Sequence, residues 1–595
     1  MHSSRAGRVL TRNTVSSVSV GLLLCFAIGA GGCSNRSRKE PLNTIHWPQP
    51  QKIRTLDPIY ADDIYSAEEV TRGYETLLQY HFLKRPYVLV SNLAESLPEV
   101  SADGKIHVFR LKKGVLFQDD RCFKQTGGKG REMTAQDVVY SLKRLADPKL
   151  ISTGWWLLDG KIEGLNEWRE LARKNGADYG RDVVGLRATD RYTVEIRLVK
   201  RSSSFLYSLA MPFTSIVARE AVEFYGKEFG ARAIGTGPFR LLEFTSNSRL
   251  VWARSPTYRK ELYPSEGEAE DKAAGFLEDG GKQLPLADRI VVQVYEEWHP
   301  MWLAFLSGGL DATFIPKDGF AQAITPRKEL SSELKVKGIR LSRSPYLDIT
   351  HLTLNMSDPL LGKNKLLRQA LSLAYDEDKF DQLFFNGRTI AAQGPIPPGL
   401  DGYDPSFKNP YRQFNLTKAK DYLARAGYPD GKGLPPLVYV TASDATSRQI
   451  ADFDAHVFAA IGVKLQVESY SWPEFQTAIR NRRGQMWPFA WVADYPDPEN
   501  FLQLFYSKNA SPGPNDSNYS NPEFDRLYEK AIATPQGTER TALYKTMVKL
   551  VIEDCPWIFK AHRIGYRVSQ KWLKNYKYHD FHGAAKYYRV EDRKN

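Results

Sequence analysis

Apolar patterns of period two and of period 3.6 follow one another along this chain without an internal repeat, and that mixture restricts it to an α/β architecture. Tyr192, Val194, Ile196 and Leu198 alternate with Thr193, Glu195 and Arg197 as in a half-buried strand, while Ile290-Val291-Val292-Gln293-Val294 reads as a more deeply buried one. Leu366, Leu367, Ala370, Leu373 and Ala374 fall at helical spacing. Leu416, Ala419, Leu423 and Ala426 do so again, with Asn415 as N-cap and Gly427 then Pro429 as the stop. At 595 residues the chain exceeds a single core, and about 150 residues per unit gives a prior of about four units. A hydrophobic share of 42% and an aromatic share of 12% exclude a disordered chain.

Beyond residue 33 no apolar run approaches the ~18 residues of a membrane helix, so any membrane attachment is expected at the start. Arg5, Arg8 and Arg12 precede an apolar run from Val18 to Ala30, and residues 1–32 read as a secretory signal peptide. The small residues Gly29 to Gly32 before Cys33 resemble the lipobox of bacterial lipoproteins, with Ala30 where that motif usually has Leu. The resemblance implies a lipidated Cys33 and a polar tether over 33–43, on the periplasmic side of a bacterial cell envelope. Cleavage there removes three arginines and leaves Cys122 and Cys555 as the non-anchor cysteines, whose spacing leaves open whether they pair. The net charge of +13 comes from 82 basic and 69 acidic residues spread along the chain, which gives no nucleic-acid signature.

The usual catalytic constellations are missing: no His-Glu-x-x-His helix, no Cys-x-x-Cys pair, no Gly-x-Ser-x-Gly elbow and no complete phosphate-binding loop. Gly127-Gly128-Lys129-Gly130 reads as a turn, Ser332-Glu333-Leu334-Lys335 as a chance match, and His579-Asp580-Phe581-His582 as surface or packing residues rather than metal ligands. No cofactor or metal site is expected. Residues 259–283, rich in charge and glycine, read as a surface insertion, and Gln393 through Pro405 as a proline-bound extended loop.

Several spaced segments resemble the family 5 extracellular solute-binding proteins, the peptide-binding components of bacterial ABC importers. They are Thr55-Leu56-Asp57-Pro58, Tyr74-Glu75-Thr76-Leu77-Leu78, Leu111 to Asp119 with Thr134 to Arg144, and Gly235-Thr236-Gly237-Pro238-Phe239. Ser307-Gly308-Gly309-Leu310-Asp311, Leu367-Arg368-Gln369-Ala370-Leu371 and Ala424 to Gly431 follow in the family order. The resemblance implies a periplasmic-binding-protein-like fold of type II, cluster C-like: two α/β lobes about a cleft, plus an extra α/β domain. By position, lobe one takes 44–68, 190–345 and 556–595, the extra domain 69–189, and lobe two 346–555. It also implies a monomer that captures peptides by hinge closure and passes them to permease subunits, without enzymatic chemistry. A non-peptide solute such as a nickel chelate, haem or an oligosaccharide is the alternative, and an envelope hydrolase a remote one.

In oligopeptide-binding relatives an Asp in a Trp-x-x-Asp-Tyr motif pairs with the ligand's α-ammonium, which carries over to Asp494 in Trp491-Val492-Ala493-Asp494-Tyr495. A buried ammonium needs such a carboxylate, and Trp491 and Tyr495 would wall the adjoining pocket. For the ligand carboxylate the candidates are Arg482 and Arg483, with Arg480 nearby; the Arg that some relatives carry three residues before the Trp is here Pro488. Trp155 and Trp156 fall where relatives touch ligand, and only one of two adjacent strand residues would face the cleft. His351, Thr353 and Asn355 alternate on a plausible strand, with Asn355 as a partner for peptide backbone.

Overall fold

The structure is a computed structural model that describes residues 41–593 apart from Ser246 and Asp592; the expected signal peptide and Cys33 lie outside the described residues. The two expected strands form. Arg289–Val294 lies parallel to Thr44–Gln49 and antiparallel to Arg249–Arg254, which pairs in turn with Phe239–Thr245. Thr193–Arg197 buries Val194 and Ile196 in a second four-stranded sheet with Glu99–Val100, Ile106–Arg110 and Leu186–Asp190.

Helix Ile64–Gly73 starts where the Asp63 carboxylate accepts from Tyr65 and Ser66 N–H groups and ends beneath the Gly235-Thr236-Gly237 turn. Gly237 N–H donates to Gly73 O at 3.0 Å. A Cβ on Gly235 would lie 2.2 Å from that same oxygen. These glycines serve close approach, since neither has a positive φ. The Leu-Asp-Pro and Thr134 to Arg144 segments meet through a buried bidentate pair, Arg144 to Asp57 at 3.0 and 2.8 Å.

The third sheet is the largest. Its order is Ala312–Phe314, Trp557–Ser569, Asp348–Leu354, Met486–Val492, Leu437–Ala442 and Leu465–Tyr470, with Arg340–Pro345 and Thr389–Ala391 also paired to Trp557–Ser569. That last strand is shared: Trp557 to Ala561 pair with Asp348–Leu354, whereas Ile564 to Ser569 pair with Arg340–Pro345. At the junction Asp348 accepts from Arg563 N at 2.9 Å and pairs with its guanidinium. Helices Lys365–Ala374, Leu416–Arg425 and Ala445–Ala459 cover one face of this sheet. Asn415 caps the second of them, accepting from Lys418 N at 2.9 Å, and Gly427 ends it at φ 98°.

Two expected boundaries change. A boundary at 68/69 would cut helix Ile64–Gly73, and one at 189/190 would cut the hairpin in which Leu186 faces Ile196 and Ala188 faces Val194. Residues 259–283 lie mostly at the surface but also act as a strap, because Tyr263, Asp271 and Asp279 are buried. Their charges grip the C-terminal segment, Asp279 holding Arg589 and Asn575, Asp271 holding Lys577, and Glu261 holding Lys586 at 2.8 Å. Cys122 and Cys555, whose spacing left their pairing open, are both free and buried, so they do not pair. Gln393 to Pro405 runs without helix or strand.

Candidate ligand-binding site

Strand alternation builds the floor of the site. In the register Ile349–Trp491, His351–Phe489, Thr353–Trp487, side chains one residue apart point to opposite faces. Leu352, Leu354, Met486 and Ile558 enter the helix-covered core. His351, Phe489, Trp491 and Trp557 line a cavity of about 690 Å³. The His351 ring stacks on Trp557 at 3.5 Å, and burial drives its pKa well below the usual value, so it is a neutral wall. Trp156, Asp159, Lys161, Ser202 and Ser204 close the cavity from a distant part of the sequence.

Past Val492 the chain leaves the sheet, Ala493 N–H donating to Leu347 O at 2.8 Å, and Asp494 follows at the cavity. One fully buried residue, Asn500, organises this turn. Its Oδ1 accepts from Trp491 Nε1 at 2.9 Å and from Asp494 N at 3.0 Å, and its Nδ2 donates to Asp494 Oδ2 at 3.0 Å. No ion pair to Asp494 forms among the described residues. Burial therefore raises its pKa to about 6, with the charge of Glu499 adding to the effect and the Asn500 hydrogen bond opposing it.

Two neighbouring acids are already satisfied. Asp497 accepts from Arg540 at 2.6 Å and from Tyr544 at 3.1 Å. Glu499 accepts from the Tyr495 hydroxyl at 2.5 Å and from Tyr528. Tyr495 thus lines the cavity and also braces it, its ring stacked on Tyr207 at 5.6 Å.

Of the expected residues, the structure brings Asp494, Trp491, Tyr495 and Trp156 to one cavity. Trp155 and Trp156 sit on a 3₁₀ turn, Trp155–Leu157, and not on a strand. Trp155 faces away, with the Arg169 guanidinium 4.7 Å from its ring centre. Asn355 is consumed internally: its amide donates to Gly484 O at 3.0 Å and its Oδ1 accepts from Ser357, leaving nothing for a ligand. Arg482 donates to Ser511 O at 3.1 Å and Arg483 is exposed; neither lines the cavity. The cations that do are Arg480, one residue past the last buried position of helix Trp472–Arg480, and Lys161, whose pKa burial lowers against the pull of Glu499 and Asp159. Asp516 also lines it, accepting from Trp487 Nε1 at 3.2 Å, its pKa raised by burial to about 6. Lys161 and Asp516 carry no local sequence signal; only long-range folding brings them here.

A cavity over the large sheet, closed by segments from distant parts of the chain and lined by polar groups, fits a solute-binding protein of the periplasmic-binding-protein type. The chain belongs to the bacterial extracellular solute-binding proteins, family 5, whose model matches residues 88–513. It is 26% identical over 498 residues to heme-binding protein A of Haemophilus influenzae, covering 81% of each chain. It is 25% identical over 506 residues to di/tripeptide-binding protein 2 of Pseudomonas aeruginosa, covering 82% of this chain and 84% of that one. The periplasmic binding protein DppA of Helicobacter pylori, solved with the peptide STSA, superposes with a TM-score of 0.70 at 23% identity, over 92% of this chain and 98% of that one. Among the described residues no helix is long and apolar enough to cross a membrane.

Proposed function

We propose that this protein captures short peptides by their free N-terminus and delivers them to an ABC permease, working as a monomer held to the envelope by lipid on Cys33. One observation carries the reading: Asp494, a part-buried carboxylate lining the cavity, forms no ion pair among the described residues, while Asp497 three residues on is neutralised by Arg540. A ligand ammonium completes what the fold leaves open. Lys161 and Arg480 are the candidates for the ligand carboxylate. The name of the Pseudomonas aeruginosa relative supports a peptide ligand.

In this reading the lobes are the bodies around the Thr44–Gln49 sheet and the Asp348–Leu354 sheet, with the Glu99–Arg197 sheet as the extra domain. Closure bends the chain at 345–348 and 563–565, where strands pass between lobes. The test is calorimetry with a tripeptide and its N-acetyl form. Acetylation should abolish binding, and Asp494→Ala should cost about 3–5 kcal/mol, a hundredfold or more in affinity. Equal affinity for both forms would sink the assignment.

A further inference from the structure

The peptide reading uses one of the cavity's carboxylates that form no ion pair among the described residues, and another of them, Asp516, has a geometry of its own. Trp487 and Trp491 project from the same face of Met486–Val492, four residues apart and so about 13 Å along the strand. Each indole N–H marks an acid: Trp491 through Asn500 to Asp494, and Trp487 directly to Asp516. No ion pair to Asp516 forms among the described residues, and no cation contributes to its electrostatic surroundings. The loop beneath it is braced, because buried Asn515 donates to Tyr506 O at 3.0 Å and to Tyr519 O at 2.9 Å. Satisfying an indole N–H needs only a neutral acceptor. A part-buried carboxylate placed there for that purpose alone would be a desolvation cost without return.

We propose, resting on the peptide reading, that the cavity is built for peptides carrying a second cation, a lysine or arginine side chain near the N-terminus, and that Asp516 receives it. An extended residue spans about 3.3–3.6 Å, so two residues of backbone plus the four-carbon lysyl stem match the ~13 Å between the two tryptophans that mark the acids. The basic residue therefore belongs at the second or third position. With the α-ammonium on Asp494 and the side chain on Asp516, Lys161 and Arg480 are left for the ligand's own carboxylate.

The experiment is calorimetry on the full chain with Ala-Lys-Ala and Ala-Ala-Lys, each beside its norleucine counterpart and its N-acetyl form. At one of the two positions lysine should bind at least about tenfold tighter than norleucine, as expected for a charge-assisted hydrogen bond. Asp516→Asn should remove that preference, and Asp516→Glu should retain it in part. If norleucine binds as well as lysine at both positions while N-acetylation still abolishes binding, this inference falls and the peptide reading stands. If N-acetylation has no effect, the peptide reading falls first. A lysine preference that survives Asp516→Asn also overturns the inference. The wild-type comparison needs no variant, and acetylation sensitivity reports whether the variants keep a working site.

Discussion

The strap over 259–283 and the cavity around 486–516 both enclose carboxylates, and they treat them in opposite ways. In the strap every buried acid meets a cation from the same chain: Glu261 meets Lys586 and Arg259, Asp271 meets Lys577, Asp279 meets Arg589. The charge and hydrogen bonds of Lys586 and Arg259, set against burial, hold Glu261 far below the ordinary carboxylate range. Arg589, Lys282 and Asn575 likewise bring Asp279 to about 2 against its burial. In the cavity, burial acts on Asp494 and Asp516 without a cation to offset it, and both rise to about 6. Charge completed within the chain holds two segments together. Charge left without a cation is, in the proposed reading, where a ligand's cation belongs.

The largest effect should come from breaking the completed side. Arg259→Met strands Glu75 and part of Glu261 in the interior and should cost about 3–5 kcal/mol of stability, read from denaturant unfolding. A loss below about 1 kcal/mol, the scale of a surface pair, would erase the contrast.

Next comes Asp494→Asn, which should do the reverse. The folded pKa of about 6 lies above the ordinary 3.8, so at pH 7.5 the ionised carboxylate opposes folding by at most about 3 kcal/mol. The variant should therefore unfold at a higher temperature when ligand-free, and its advantage should fade as pH falls through about 6 toward 4. Asp279→Asn carries the opposite sign. Its folded pKa is depressed, so the wild-type carboxylate stabilises above pH 3.8 and loses that contribution as pH falls toward about 2. Scans of both variants against pH would separate the two regions; parallel curves would refute the comparison.

Smaller again, peptide affinity should decline below pH 6, by up to about tenfold per unit, because ammonium capture requires ionised Asp494. Flat affinity between pH 7 and pH 5 would count against it. Smallest is Lys282→Ala: its side chain is 57% exposed, and Asp279 keeps Arg589, so stability should move by no more than about 0.5 kcal/mol.

Much of the fold was legible because it is written in local periodicity. The Lys365–Ala374 and Leu416–Arg425 helices and the Arg289–Val294 strand follow from spacing and caps that neighbouring residues supply. Within the site, Asp494, Trp491 and Tyr495 were legible through one contiguous motif. Asn500, which orients two of the three, lies six residues past Asp494 and carries no signal beyond being an asparagine near a proline turn. Asn355 and Arg482 misled because residue type alone does not say whether a donor is already spent; each is spent on backbone carbonyls. The buried acids of the strap were illegible for a related reason: most of 259–283 is exposed, and Asp271 and Asp279 are the exceptions because Lys577 and Arg589, more than 300 residues away, close over them.

The sequence by itself determined the α/β class, the family and the one motif that holds Asp494, since these depend on residues close together along the chain. Tertiary structure alone decided which charges are paired. Whether a carboxylate is neutralised depends on which cations, hundreds of residues distant, folding delivers to within about 4 Å of it. By that measure Asp497 and Asp279 became structural, and Asp494 and Asp516 were left without an ion pair among the described residues.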